Sequence, residues 1–250
     1  MEIRTESLTL RTADGEMPVH LAAPAAGGPY AAVIVIMEAF GLNGHIKAVA
    51  ERIAREGYVT VAPDLYHRFG SPIVAYDDIP KAIDYLKRLD DAKVTAEVHS
   101  CVGALEARKD VRADRIGITG FCMGGRVAFL AAAQLPDDIK AAVSFYGGGI
   151  AADQPTAPIN QADRIKAPVL ALWGETDGMI PLDQVRRVGE TMKRLGKTFE
   201  DKVYPGAGHG FICDERASYH AASAQDAWTR LMAWFARYLG RAAAPPGVSG

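Results

Sequence analysis

The sequence predicts an α/β fold with a mostly parallel central sheet and helices on both faces. Three observations carry this. Continuous apolar, β-branched runs such as residues 31–37 recur along the chain, as expected of strands buried on both faces. Segments with helical periodicity separate them. This alternation implies right-handed βαβ crossovers, and hence parallel pairing.

Residues 3–10 and 17–22 alternate loosely about Asp14-Gly15 and read as an opening hairpin. Strands are then expected at 31–37, 58–62, 115–119, 141–146, 169–173 and 199–204. Helical patterns lie between them at 45–56, 79–89, 94–107, 123–133, 182–195 and 217–239. The stretch 241–250, with its Pro-Pro-Gly, reads as a frayed end. A length of 250 residues, 49% of them apolar, fits one domain over 1–240 with a large core.

Lys and Arg number 28 against 30 Asp and Glu, a net charge of -2. That balance offers no electrostatic footprint for nucleic acid or an anionic membrane, so a small molecule is the expected partner. The start, Met1-Glu2-Ile3-Arg4, has no signal-peptide character, and no run reaches the ~20 apolar residues of a membrane span. A cytoplasmic protein is expected, as monomer or dimer. The three cysteines, Cys101, Cys122 and Cys213, form no CxxC pair, which argues against a disulfide framework or structural zinc. No ligand cluster at metal spacing appears, and no metal or organic cofactor is expected.

In such sheets the chemistry sits beyond the carboxyl ends of the strands. One strand-to-helix junction there reads Gly120-Phe121-Cys122-Met123-Gly124-Gly125. This is a G-x-C-x-G elbow: the nucleophile occupies a strained turn where side chains two residues either way would collide. The following helix N-terminus presents free amides and a positive dipole end, which favour a thiolate. Buried packing is the alternative for a free cysteine. The strand, turn and helix around Cys122 favour the nucleophile.

An activated thiol needs a base, and the base an orienting acid. Gly174-Glu175-Thr176-Asp177-Gly178 follows one late strand, and Gly206-Ala207-Gly208-His209-Gly210 follows the next. The order Cys122, Asp177, His209 is that of the α/β-hydrolase fold. Asp183 stands where it would start the helix at 182, so Asp177 is the better acid. None of the other histidines follows a late strand in a glycine-rich loop. Cys101 falls within a helical pattern and reads as packing, and Cys213 as filler or pocket lining.

The elbow, together with Met37-Glu38-Ala39-Phe40-Gly41-Leu42-Asn43 and Ala62-Pro63-Asp64-Leu65-Tyr66, resembles the dienelactone hydrolase (carboxymethylenebutenolidase-like) family over residues 30–240. The resemblance implies that Glu38 contacts the resting thiol and takes part in forming the thiolate when substrate arrives. A carboxylate beside a thiol disfavours the thiolate, so its displacement would switch the nucleophile on. The backbone N–H groups of Ala39 and Met123 fall where an oxyanion hole is expected.

Enzymes of this resemblance that act on dienelactone have arginines clamping the substrate carboxylate, one of them four residues past the catalytic histidine. Here that position is Cys213, and residues 69–87 contain no arginine. Arg68, Lys81 or Arg216 are the candidates to substitute, although a lysine does not replace a bidentate clamp. Tyr76-Asp77-Asp78 would add negative charge near the mouth. Phe40, Tyr66, Tyr146 and Trp173 are candidate pocket walls.

The expected activity is hydrolysis of a small ester or lactone through a Cys122 thioester, with His209 moving protons and Asp177 orienting it. A thioesterase or amide hydrolase would use the same groups. A thiol-sensing binding protein is the reading from another class.

Overall fold

The opening hairpin consists of β1 (Ile3–Thr12) and β2 (Gly15–Pro24), antiparallel and closed by Thr12 opposite Gly15. The Gly15 φ of +118° belongs to a region that side chains rarely enter, which explains the glycine. β3 (Tyr30–Ile36) is buried at every position, so both faces of this strand are covered. It is followed by α1 (Gly44–Arg55), whose N-terminus is capped by the Asn43 side chain accepting from the Ile46 N–H.

β4 (Val59–Pro63) leads through a 3-10 turn at His67–Phe69 to α2 (Ile79–Lys87) and α3 (Asp91–Glu106). Asp78 and Asp90 cap these two helices by accepting from the Lys81 and Lys93 N–H groups. Then come β5 (Val111–Phe121), α4 (Met123–Gln134), β6 (Ile139–Phe145), β7 (Val169–Gly174), α5 (Leu182–Arg194), β8 (Phe199–Tyr204) and α6 (Ala221–Leu239). A 3-10 segment at Pro158–Arg164, for which the sequence carried no periodic signal, packs against α4.

The computed structural model describes residues 1–240; the tail expected to fray, 241–250, lies outside them. One eight-stranded sheet has the order β1-β2-β4-β3-β5-β6-β7-β8. Pairing is antiparallel for β1 with β2 and β2 with β4, and parallel from β4 onward. This is an α/β-hydrolase fold. No described helix is long and apolar enough to cross a membrane.

Two starting boundaries differ from expectation by four residues. β5 starts at Val111, four residues early, because Val111 pairs with Tyr30 before the register shifts. α6 starts at Ala221 rather than 217, because His220 caps it by accepting from the Ser223 N–H, while 213–220 forms turns. The helical pattern ran on through these turns because capping by histidine has no periodic signature.

Since β3, β5, β6, β7 and β8 are parallel neighbours, their carboxyl ends lie along one edge. The loops bearing Glu38, Cys122, Tyr146, Asp177 and His209 leave that edge in spatial order.

Candidate active site

Cys122 stands between β5 and α4 at φ +57° and ψ -119°, a conformation that non-glycine residues rarely adopt. The Cys122 N–H donates to the Phe145 carbonyl at 3.1 Å, tying the turn to β6. A Cβ on Gly124 would lie 2.6 Å from the Met37 carbonyl oxygen, and one on Gly120 would collide with Gly124 itself. The two flanking glycines are therefore required by the close approach of β3, β5 and α4. Cys122 is 8% exposed, so the residue is largely enclosed.

Asp177 and His209 meet as the chain order suggests. His209 Nδ1 lies 2.7 Å from Asp177 Oδ2, and Asp177 is buried. Its other oxygen, Oδ1, accepts from the Met179 N–H at 2.9 Å, which fixes the carboxylate plane. Glu175, the neighbouring rival, accepts from the Gly206 N–H instead and so links the two loops. Asp183 lies in the first turn of α5, as its dipole reading required.

The His209 Nε2 atom is buried with no other hydrogen-bond partner. Burial opposes a charge on this ring. That effect is outweighed by the negative charge of Cys122 and by the hydrogen bond to Asp177, which raise the pKa to about 10. By contrast, burial pushes the Cys101 thiol up to about 12 and the Cys213 thiol up to about 11. Both stay protonated near neutrality.

Glu38 is fully buried at the end of β3. Its Oε1 accepts from Arg216 Nη1 at 3.2 Å and from the Tyr146 hydroxyl at 3.5 Å, while Oε2 has no partner. The resemblance implied a contact with the resting thiol; the hydrogen bonds of this carboxylate go to Arg216 and Tyr146 instead. Tyr146 sits edge-on to the His209 ring, with centroids 5.1 Å apart. Burial, then the charges of Glu38 and Cys122, hold its phenol far above the ordinary tyrosine range. Tyr146 thus touches both Glu38 and His209.

Of the three cations proposed as substitutes for the clamp, the structure brings in Arg216 alone. Arg68 pairs with Asp14 at 3.0 Å and with Glu97, so it joins the hairpin turn to α3 and is a correction to the pocket reading. Lys81 is exposed in the first turn of α2. Arg216 lies over the rings of Phe40, at 5.2 Å, and Tyr76, at 5.7 Å. The two rings meet edge to face at 4.7 Å.

Tyr66 is fully buried and its hydroxyl donates to the Ala39 carbonyl at 3.1 Å. Burial, then the charge of Cys122, raise its pKa, in keeping with a position near the thiol. The Ala39 N–H makes no backbone hydrogen bond among the described residues, and that of Met123 opens α4 without an intrahelical acceptor. Trp173 is a second correction: it is 1% exposed in the main core and makes no ring or hydrogen-bond contact with this cluster.

Two contributors were missed. Tyr76 accepts from Asn43 Nδ2 at 2.9 Å and lies 3.4 Å from the Cys213 sulfur. In the sequence, Tyr76 registered only as part of a charged turn, and Asn43 not as a cap. The Asn-Gly pair before the periodic run at 45–56 was the signal available.

The dienelactone hydrolase family model matches residues 17–239. A protein of Methylorubrum extorquens (strain AM1), named "Putative carboxymethylenebutenolidase", is 40% identical over 229 residues, covering 90% of this chain and 78% of that one. An Escherichia coli (strain K12) protein of the same name is 40% identical over 230 residues, covering 90% and 84%. The solved "Putative Dienelactone Hydrolase" of Klebsiella pneumoniae subsp. pneumoniae MGH 78578 superposes with a TM-score of 0.88 at 39% identity, covering 95% of this chain and 100% of that one. With a family match over most of its length and relatives this similar, the chain is a hydrolase that belongs to the dienelactone hydrolase family.

Proposed function

We propose that the protein hydrolyses a small ester or lactone bearing a carboxylate, through a covalent thioester on Cys122. The observation that carries this reading is the 2.7 Å contact of His209 Nδ1 with Asp177, on a ring held charged by the Cys122 sulfur. The thiolate adds to the substrate carbonyl, and the developing oxyanion is held by the Ala39 and Met123 N–H groups. As the tetrahedral adduct collapses, the carbon–oxygen bond to the leaving group breaks and His209 gives that oxygen its proton. The neutral ring then takes a proton from water, the hydroxide attacks the thioester, and the acid leaves with the thiolate restored.

The substrate carboxylate is argued from Arg216. Its side chain is 13% exposed, has Glu38 as its carboxylate partner and is flanked by aromatic faces. A substrate anion meeting this fork would compete with Glu38 for it and loosen the Glu38 hold, which ties arrival of substrate to the loop beside the thiol. Dienelactone fits this class, with one arginine where two were expected.

The test is mass spectrometry of the protein quenched during turnover of carboxylate-bearing aryl esters and lactones. An acyl adduct on Cys122 is expected, absent from Cys122→Ala. An adduct confined to Cys101 or Cys213, or undiminished hydrolysis by Cys122→Ala, would sink the assignment.

A further inference from the structure

Taking the hydrolytic reading of Cys122 as our basis, we propose that the cavity beside the elbow, where α2, α3 and α4 converge, is an acyl subsite for an uncharged, apolar acyl chain. The cavity encloses about 590 Å³, and Leu86, Leu89, Val94, Met123 and Val127 supply its apolar walls. Val94, Met123 and Val127 are buried members of the main core, so this side of the cavity is preformed.

Two residues fix its position relative to the thiol. Met123, whose N–H is proposed to hold the oxyanion, directly follows Cys122 and also lines the cavity. Leu86, near the end of α2, lines it too and packs against the apolar cluster that contains Ala39 and Phe40. The cavity therefore borders both segments whose N–H groups are proposed to receive the oxyanion.

The direction of proton transfer decides which half of the ester it receives. His209 protonates the leaving oxygen, so the leaving group faces the loops after β7 and β8. None of the described residues lining the cavity comes from those loops, whereas Arg216 lies in the segment after β8. A leaving group that bears the carboxylate stays on the Arg216 side. The acyl group, across the scissile bond, is directed toward the cavity.

The charged residues of the walls are matched among themselves. Arg126 holds Asp91 in two parallel bonds, Nη1 to Oδ1 at 2.6 Å and Nη2 to Oδ2 at 2.8 Å. Asp90 accepts from the Lys93 N–H at 3.0 Å as the cap of α3. Lys87 and Arg126 balance Asp90 and Asp91, so the lining carries no net charge. An anionic acyl group would lose hydration there without a free cation to replace it, while an apolar chain gains by burial.

The test is steady-state hydrolysis of 4-acetoxybenzoate, 4-butyryloxybenzoate and 4-hexanoyloxybenzoate, which share one carboxylate-bearing leaving group and differ in acyl length. The wild type is compared with Leu89→Trp and Thr156→Trp, which fill the cavity from two different segments, with folding checked by circular dichroism. Thr156 is exposed on a loop, so its substitution spares the core. In the wild type, kcat/KM is expected to rise at least tenfold from acetyl to hexanoyl, each buried methylene contributing up to about fourfold. The hexanoyl-to-acetyl ratio should fall at least fivefold in each filled variant. A wild-type ratio near one, or a ratio that survives both substitutions, would overturn the proposal while leaving Cys122-dependent hydrolysis in place. Undiminished hydrolysis of all three esters by Cys122→Ala would instead remove the hydrolytic reading and the subsite with it.

Discussion

Arg216 Nη1 lies 3.2 Å from Glu38 Oε1, joining the loop after β8 to the loop after β3. Glu38 is fully buried and its Oε2 has no partner, so this one contact and the Tyr146 hydroxyl compensate a desolvated charge. Removing one member of a buried pair leaves the other uncompensated, at a cost of about 3–5 kcal/mol. Arg216→Met is expected to lose about that much in urea unfolding. Glu38→Gln/Arg216→Met should be less destabilised than the sum of its single variants by about 1 kcal/mol or more. An additive cycle would show that the two residues are independent.

Asp177→Asn keeps the size of the side chain while replacing the acceptor that orients His209 through Nδ1. An amide can present its N–H₂ to the ring and impose the wrong tautomer. The expected loss is about 10³- to 10⁴-fold in kcat. Steady-state kinetics on a p-nitrophenyl ester would read it. A loss under tenfold would remove Asp177 from the orienting role.

The strand ends that carry this relay were legible because parallel strands buried on both faces leave unbroken apolar runs, as at 30–36 and 169–174; the edge strand 199–204, largely polar and partly exposed, also falls where it was expected. The elbow was legible for a steric reason that the structure makes explicit at Gly120 and Gly124. Arg216 stood as one of three candidates because a clamp is a matter of spatial convergence. Arg216 is reached only after 213–220 folds into turns, with the Arg216 N–H donating to the Cys213 carbonyl. Arg68 has the right charge and a loop position, but Asp14 and Glu97 claim it, and these are 54 and 29 residues away in sequence. Tyr76 escaped notice because nothing local relates it to Asn43 or Cys213, its partners across the loops.

The charge on His209 gives a pH dependence with a definite sign. Its pKa is raised from 6.5 to about 10: burial opposes the rise, and Cys122 and Asp177 produce it. The native state therefore keeps a proton that the unfolded chain releases between those values. This contribution to stability is fully present below pH 6.5 and is lost as pH rises through about 10. Urea unfolding at pH 7, 8.5 and 10 should show a decline that is shallower in Cys122→Ala, which lacks the negative partner. A ring resonance of His209 titrating at or below 6.5 in the wild type would contradict the pairing.

Gly124 and Gly178 make a controlled comparison. A Cβ at Gly124 would sit 2.6 Å from the Met37 carbonyl oxygen, a backbone atom of the central strand segment that cannot retreat, whereas one at Gly178 meets nothing within 4 Å. Gly124→Ala is expected to destabilise by about 2–3 kcal/mol or more, in the range of overpacking and backbone displacement. Gly178→Ala should be neutral or stabilising by about 0.4–1 kcal/mol, because its main effect is on the unfolded chain. Thermal unfolding of the two variants checks this, and equal shifts would show that the elbow has room.

Tyr66→Phe separates positioning from packing at the proposed oxyanion hole. The hydroxyl donates to the Ala39 carbonyl at 3.1 Å inside the core, so its loss leaves a buried acceptor unsatisfied, at about 1–3 kcal/mol of stability. That carbonyl belongs to the same residue whose N–H is proposed to receive the oxyanion. Loosening it should therefore be felt where charge develops rather than where substrate first binds. The expected signature is a fall of about tenfold in kcat with KM changed less than twofold. A stability loss of the same size with kcat untouched would reduce Tyr66 to a packing residue. A rise in KM alone would place it in the pocket wall, where its ring, tilted against Tyr85 at 5.3 Å, already has a structural reason to be.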